Sequence, residues 1–265
     1  MNKGERAELK FIATLGCHIG QSIKFSNSPN GFIVNSIEIP TNGTQSKVVL
    51  SKFPITITPV AIAAMSDLQL KSFCQSTGIV KAGLFSKSDV YINGKGYSIK
   101  SYDGSPPAIV NHTNRIGWEF VAQQIGSSIS PLDILVNDYW NKRVNGVIKE
   151  DVLNSNVNSP FSSHFRTLEP FLNYFCFDGS GSKKSNHPAD YMVEFSDPCN
   201  LNTCSIYDRG NYLSHHWSNL CFSMRSKKGM PRDINALSLA NTSSIMMWSR
   251  NFQGSLRGSL HVRVK

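Results

Sequence analysis

The chain predicts an α/β fold, a mixed sheet flanked by helices. Helix-period apolar stripes alternate with short runs of alternating apolar and polar residues, and Gly, Pro and Asn clusters separate them. No internal repeat or long linker interrupts the pattern. With 265 residues, 40% of them hydrophobic and 10% aromatic, the chain is globular and has an ample core. The simplest partition is one domain over 1–265, with room for a helical subdomain at about 130–178.

Residues 3–15 read as a helix, since Ala7, Phe11 and Leu15 recur every four positions with Ile12 beside them. Glu5, Arg6 and Glu8 fall off that stripe. Either acid can face a neighbouring cleft, or simply favour the helix dipole. Residues 31–40 and 48–58 alternate as strands, with a Thr41-Asn-Gly-Thr44 turn between them. Pro59 opens a helix to about 75.

Residues 89–100 form a hairpin around Asn93-Gly-Lys-Gly96, read here with its loop at Gly94-Lys95. In that register Asn93 faces Gly96, Tyr91 faces Ser98 and Asp89 faces Lys100. Asp89, Tyr91, Ser98 and Lys100 share one face; Val90, Ile92, Tyr97 and Ile99 share the apolar one. A carboxylate, an ammonium and a hydroxyl together suit a divalent cation and a water beside a phosphate. The plainer reading is a cross-strand ion pair on a solvated face.

The loop 101–107 leaves this hairpin with glycine and two prolines. Residues 111–115, Asn-His-Thr-Asn-Arg, open a helix to about 126, with Asn111 or Thr113 as cap. Arg115 lies in the first turn, where the dipole disfavours a cation; a phosphate, or Glu119 four residues on, would relieve it. Ser130-Pro-Leu-Asp133 starts a helix that ends near Val144. Ser159-Pro160 starts another, carrying Phe161, Phe165, Leu168, Leu172 and Phe175, with Pro170 as a kink. Strands are expected at 189–195, 219–224 and 259–265, the last with His261, Arg263 and Lys265 on one side, a basic face fit for a DNA groove.

The formal charge is +9. Eight cations against one acid, Asp233, lie after Cys221, so a polyanionic partner is expected. No apolar run reaches the ~18 residues of a membrane span. The opening residues lack an apolar leader, which sets the expectation of a cytoplasmic protein, and the six dispersed cysteines are expected as reduced thiols. Cys199, Cys204, His215, His216 and Cys221 do not have the tight paired spacing of a zinc site. Gly-x-Ser-x-Gly, dinucleotide and phosphate-loop signatures are missing.

The hairpin resembles the active-site hairpin of the PD-(D/E)XK nuclease superfamily, in which an Asp opens one strand and an acid, any residue and a Lys follow on the next. Asp89 matches the Asp and Lys100 the Lys. Ser88 replaces the usual Pro, and Ser98 the usual acid. Asn2-Lys-Gly-Glu5, Tyr97-Ser-Ile-Lys-Ser101, Gly104-Ser-Pro-Pro with Asn111-His-Thr-Asn114, and Phe171-Leu-Asn-Tyr-Phe-Cys-Phe-Asp-Gly179 resemble the HpaII-type restriction endonucleases, which also carry Ser in the Ser-Ile-Lys position. These motifs span about two thirds of the chain.

The resemblance implies a restriction-endonuclease-like core and Mg²⁺-dependent cleavage of double-stranded DNA, leaving 5′ phosphates. Asp89 and Glu5, with Glu8 behind it, would bind the metal. Lys100 would handle the water or the phosphate, and Ser98 at most a metal-bound water. Asn114, Arg115, Arg225, Lys227, Lys228 and Arg232 are the DNA-contact candidates. A homodimer on a palindromic site and a cognate DNA methyltransferase in the same system are implied partners; no membrane is. The competing expectation is a DNA-binding protein without catalysis, on a nuclease fold that has lost its second acid.

Overall fold

The computed structural model describes residues 1–265 apart from 42–46, 51, 52, 55, 84, 103–106, 227 and 228. The protein is mixed α/β and divides into two compact units, 1–105 with 184–212 and 106–183 with 213–265. One domain with a helical subdomain at about 130–178 was the expectation. The helices of that stretch instead share their unit with a sheet, because strands far apart in sequence pair in each unit.

The first unit opens with α1 (Lys3–Gly16), whose cap Asn2 accepts from the Glu5 N–H at 2.8 Å. Ala7, Phe11, Ile12 and Leu15 are buried, as their spacing predicts. A ribbon of β1 (Ser22–Phe25) and β2 (Ser28–Ile33) leads to β3 (Ile37–Pro40) and β4 (Lys47–Val49). The strand expected at 31–40 is thus split and the one at 48–58 is short; the expected turn at 41–44 lies mostly outside the described residues. The helix expected at 59–75 is two, α2 (Pro59–Ala64) and α3 (Asp67–Thr77). Ser66 between them exchanges hydrogen bonds with Gln69 at 2.9 and 3.4 Å, and that reciprocal cap starts a new helix. The hairpin strands β5 (Val90–Ile92) and β6 (Lys95–Ser101) follow.

The chain next enters the second unit with β7 (Ala108–Asn114), α4 (Arg115–Gln124), α5 (Ser130–Val144), β8 (Val152–Leu153) and α6 (Phe165–Asn173). Residues 111–114 end a strand where a helix start was expected, and Asn114 is the cap, accepting from the Gly117 N–H at 3.2 Å. The helix expected from Ser159 begins only at Phe165; it passes Pro170 and widens into a π-helical turn at Tyr174–Asp178. The first unit is then completed by β9 (Tyr191–Phe195) and β10 (Ser205–Asp208), and α7 (Tyr212–His216) begins where the chain leaves it. β11 (Leu220–Arg225), α8 (Leu239–Trp248), the β12 (Arg250–Phe252) and β13 (Ser255–Arg257) hairpin, and β14 (Ser259–Val264) finish the second.

In the first unit a six-stranded sheet runs β10-β9-β6-β5-β3-β4, antiparallel except for β6 with β9. Phe11 of α1 stacks on Phe195 at 4.9 Å, over a core that includes Val90, Ile92, Tyr97, Ile99 and Val193. The apolar hairpin face therefore packs as predicted. In the second unit an antiparallel sheet runs β7-β14-β11-β8. Its core is aromatic: Trp118 meets Phe171, Phe175 and Trp248, and Phe161 stacks on Phe222 at 4.3 Å. The basic face expected on β14 is not a free one. His261 is buried and Arg263 pairs with Asp151. All six cysteines are free thiols.

Candidate active site

The hairpin turns at Asn93-Gly94, not at Gly94-Lys95. Both residues have positive φ, 50° and 76°, the signature of a type I′ turn, which Asn-Gly forms readily. The Asn93 side chain locks the turn, accepting from the Asn35 and Ser36 N–H groups at 2.7 and 3.1 Å and donating to the Ile33 carbonyl at 2.7 Å. The ladder then pairs Val90 with Tyr97 and Ile92 with Lys95. Asp89 consequently lies opposite Ser98, and Lys100 is two residues further on. The register moved by two residues, an even number, so Asp89, Tyr91, Ser98 and Lys100 keep the shared face.

Asp89 sits where the two strands part. Its N–H donates to the Tyr97 carbonyl at 2.8 Å, while the N–H groups of Lys87 and Ser88 donate to His187 instead of to β6. The Ile99 N–H would be left without a strand partner, and the Asp89 Oδ2 accepts it at 2.6 Å. The Ser98 hydroxyl donates to the same oxygen at 3.4 Å. Burial pushes the Asp89 carboxyl up from the usual range, opposed by the Lys100 charge, the Ile99 N–H, Lys87 and Ser98.

A second shifted carboxyl is that of Glu8. α1 packs against β6, and burial pushes Glu8 from the ordinary 4.5 to about 8; the Asp89 charge adds to this, and Lys81 and Lys100 oppose it. Its Oε1 is buried and has no hydrogen-bond partner. Glu5 stands one turn earlier, in the first turn of α1, and its charge raises Glu8 slightly further. The signal for Glu8 over Glu5 was absent from the sequence, because both fall off the apolar stripe and only the pose of α1 on the sheet separates them. Lys100 is half-buried, and its ammonium makes no ion pair among the described residues. Glu8 and Asp89 are both desolvated, both feel the Lys100 charge, and the Glu8 Oε1 is left without a partner; carboxyl oxygens are the ligands a hard divalent cation takes. Among the described residues no three His, Cys, Asp or Glu side chains converge on one point.

The expected DNA contacts fare differently. Asn114 is spent as a cap, and its amide donates to the Gly229 carbonyl at 2.8 Å. Arg115 is buried: its Nε and Nη2 donate to Asp133 at 2.7 and 2.8 Å, and its Nη1 donates to Glu119 and Ser244. The Glu119 alternative was therefore right, with Asp133 the stronger partner. Arg225 is held by Glu150 at 2.7 Å and Asp151 at 2.6 Å; Arg257 pairs with Glu150, and Arg263 and Lys265 with Asp151. Four of the basic tail's eight cations are paired with two acids that lie outside the tail, which offset two of their charges. Lys227 and Lys228 lie outside the described residues, and Arg232 is exposed.

No protein-family model, curated protein or solved structure matches this chain. Among the described residues no helix is long and apolar enough to cross a membrane.

Proposed function

We propose that this chain is a type II restriction endonuclease that cleaves double-stranded DNA with Mg²⁺ and leaves 5′ phosphates. One observation carries the reading: Asp89, Ser98 and Lys100 share one face of the hairpin, the Ile99 N–H holds the Asp89 carboxylate, and the Glu8 carboxyl of α1 feels the charges of Asp89 and Lys100. Ser98 alone cannot replace the acid it stands for, and Glu8 supplies the missing carboxylate from α1.

Glu8 and Asp89 would hold the cation, which their raised carboxyls and the unpaired Glu8 oxygen call for. When bound, Mg²⁺ would offset charge on the phosphate and on the leaving 3′ oxygen. The Ile99 N–H and Ser98 hydroxyl fix the Asp89 carboxylate by its Oδ2. Lys100 would orient the attacking water, help take its proton, or neutralise the phosphate. The exposed Arg232 remains a candidate for DNA contact, and a palindromic site would be met by a homodimer.

The test is nicking of supercoiled plasmid with and without Mg²⁺, by the wild type and Lys100→Ala. Cleavage by the wild type alone, with metal alone, is expected, and sequencing the ends would define the site. DNA binding by both proteins with cutting by neither would leave a non-catalytic DNA-binding protein.

A further inference from the structure

A cavity of about 470 Å³ lies in the second unit, among the end of β7, the first turn of α4, the 180–182 loop and α8. That volume is within the roughly 300–1,000 Å³ of small-molecule sites. A bulge shapes its wall. β14 pairs Leu260 with Thr113 and Val262 with Val110, so Asn111 and His112 of β7 together oppose His261. A bulge of this kind re-aims side chains, and Asn111 and His112 both line the cavity. His112 has φ 45°, a left-handed conformation that a side chain disfavours and that gathers at functional sites.

Two close backbone approaches hold this wall. A Cβ on Gly181 would lie 3.0 Å from the Gly117 Cα, and Gly229, at φ 91°, has no room for one beside the His112 carbonyl. Among the described residues no Asp, Glu, Lys or Arg lines the cavity. Arg115 stands in the same first turn, but its guanidinium is held by Asp133 and Glu119. A phosphate therefore finds no countercharge here. Ile116, Leu237 and Ile245 supply apolar surface. His112 supplies a flat ring, stacked at 4.5 Å on the ring of the buried His261. Burial, His112 and the Arg263 and Arg225 charges push His261 down to about 4, so the backing ring stays neutral. Asn111 and Ser182, both exposed, add an amide and a hydroxyl.

Such a lining fits an uncharged planar ring with donors and acceptors around its edge. Nucleobases are that class: aromatic side chains stack on their faces, and amides pair with their edges. We propose that this cavity is a nucleobase-binding site, with His112 and the apolar wall for the faces of the base and Asn111 and Ser182 for its edge. The base belongs to a free nucleoside or is extruded from a duplex. The proposal does not rest on the nuclease reading, whose Glu8, Asp89 and Lys100 belong to the first unit.

The experiment is a fluorescence-anisotropy titration of 2-aminopurine riboside with the full chain, with the natural nucleosides and ribose as competitors. Saturable binding is expected, displaced by a nucleoside and not by ribose. Leu237→Asp puts a carboxylate in the apolar wall and should abolish binding. Asn111→Ala removes an edge contact, so it should weaken binding about tenfold and change the order of the competing nucleosides, which a merely structural role would not do. Asn111 is exposed, so this variant decides if Leu237→Asp fails to fold. An intact duplex and one with a single mismatched pair then compete with the riboside. Displacement by the mismatched duplex alone assigns the base to DNA, because an unpaired base costs least to extrude. Displacement by nucleosides alone assigns it to a free ligand. No binding tighter than about 1 mM, or equal binding by the wild type and either folded variant, would overturn the site. Plasmid nicking without riboside binding removes this site and leaves the nuclease reading; binding without nicking does the reverse.

Discussion

The burial of Glu8 has a consequence for pH. Its folded pKa, about 8, lies above its ordinary 4.5, so between those values the folded chain keeps a proton that the unfolded chain has lost. Stability therefore falls as pH rises through that window and levels off above it. Glu8→Gln should remove this fall and raise the melting temperature at pH 8, measured without divalent cations. Mg²⁺ should raise the wild-type melting temperature at pH 8 and leave that of the variant unmoved. The same substitution should cut Mg²⁺-dependent cleavage by about 10²-fold or more. Arg115 makes the contrasting case. Its side chain is 8% exposed and it holds Asp133 bidentately, so Arg115→Ala strands a partly buried carboxylate. A loss of about 3 kcal/mol in urea unfolding is expected, with DNA affinity unchanged.

At the scale of elements, the hairpin does two jobs. Its type I′ turn sets which residues face each other, and the parting of its strands frees Asp89 to leave the ladder. Gly96 maintains that parting: a Cβ there would lie 2.2 Å from the Ser88 hydroxyl and 2.8 Å from the Pro188 carbonyl, the two atoms whose hydrogen bond tethers the approach to Asp89. Gly96→Ala should displace residues 88 and 89 and lower cleavage by about 10²-fold, since an ångström at a reacting site costs that much. A crystal structure of the variant with Asp89 unmoved would refute this. β14 teaches the opposite lesson, for its clean alternation is real but His261 is buried and Arg263 is paired with Asp151.

For the molecule as a whole, charge distribution separates stability from DNA affinity. The eight cations of the C-terminal stretch overstate what a phosphate backbone would meet there, because Arg225, Arg257, Arg263 and Lys265 are paired with Glu150 and Asp151, which offset two of their four charges. Arg225→Ala should lower the denaturation midpoint and leave the slope of log K against log salt unchanged. Arg232→Ala should reduce that slope by about 1. Fluorescence-anisotropy titrations at several salt concentrations check both.

The sequence by itself determined the α/β class, α1, α5, the hairpin and the common face of Asp89, Ser98 and Lys100. These are local properties: a period of 3.6 or 2 is written into neighbouring residues, and face parity survives a register error of two. The tertiary structure decided the rest. Which acid of α1 is buried within reach of the Asp89 charge, which strand lies beside Lys100, and which arginines are held by Glu150, Asp151 and Asp133 all depend on pairings between distant segments. No local period encodes these, because a charge takes its partner from whatever the packed backbone brings near it.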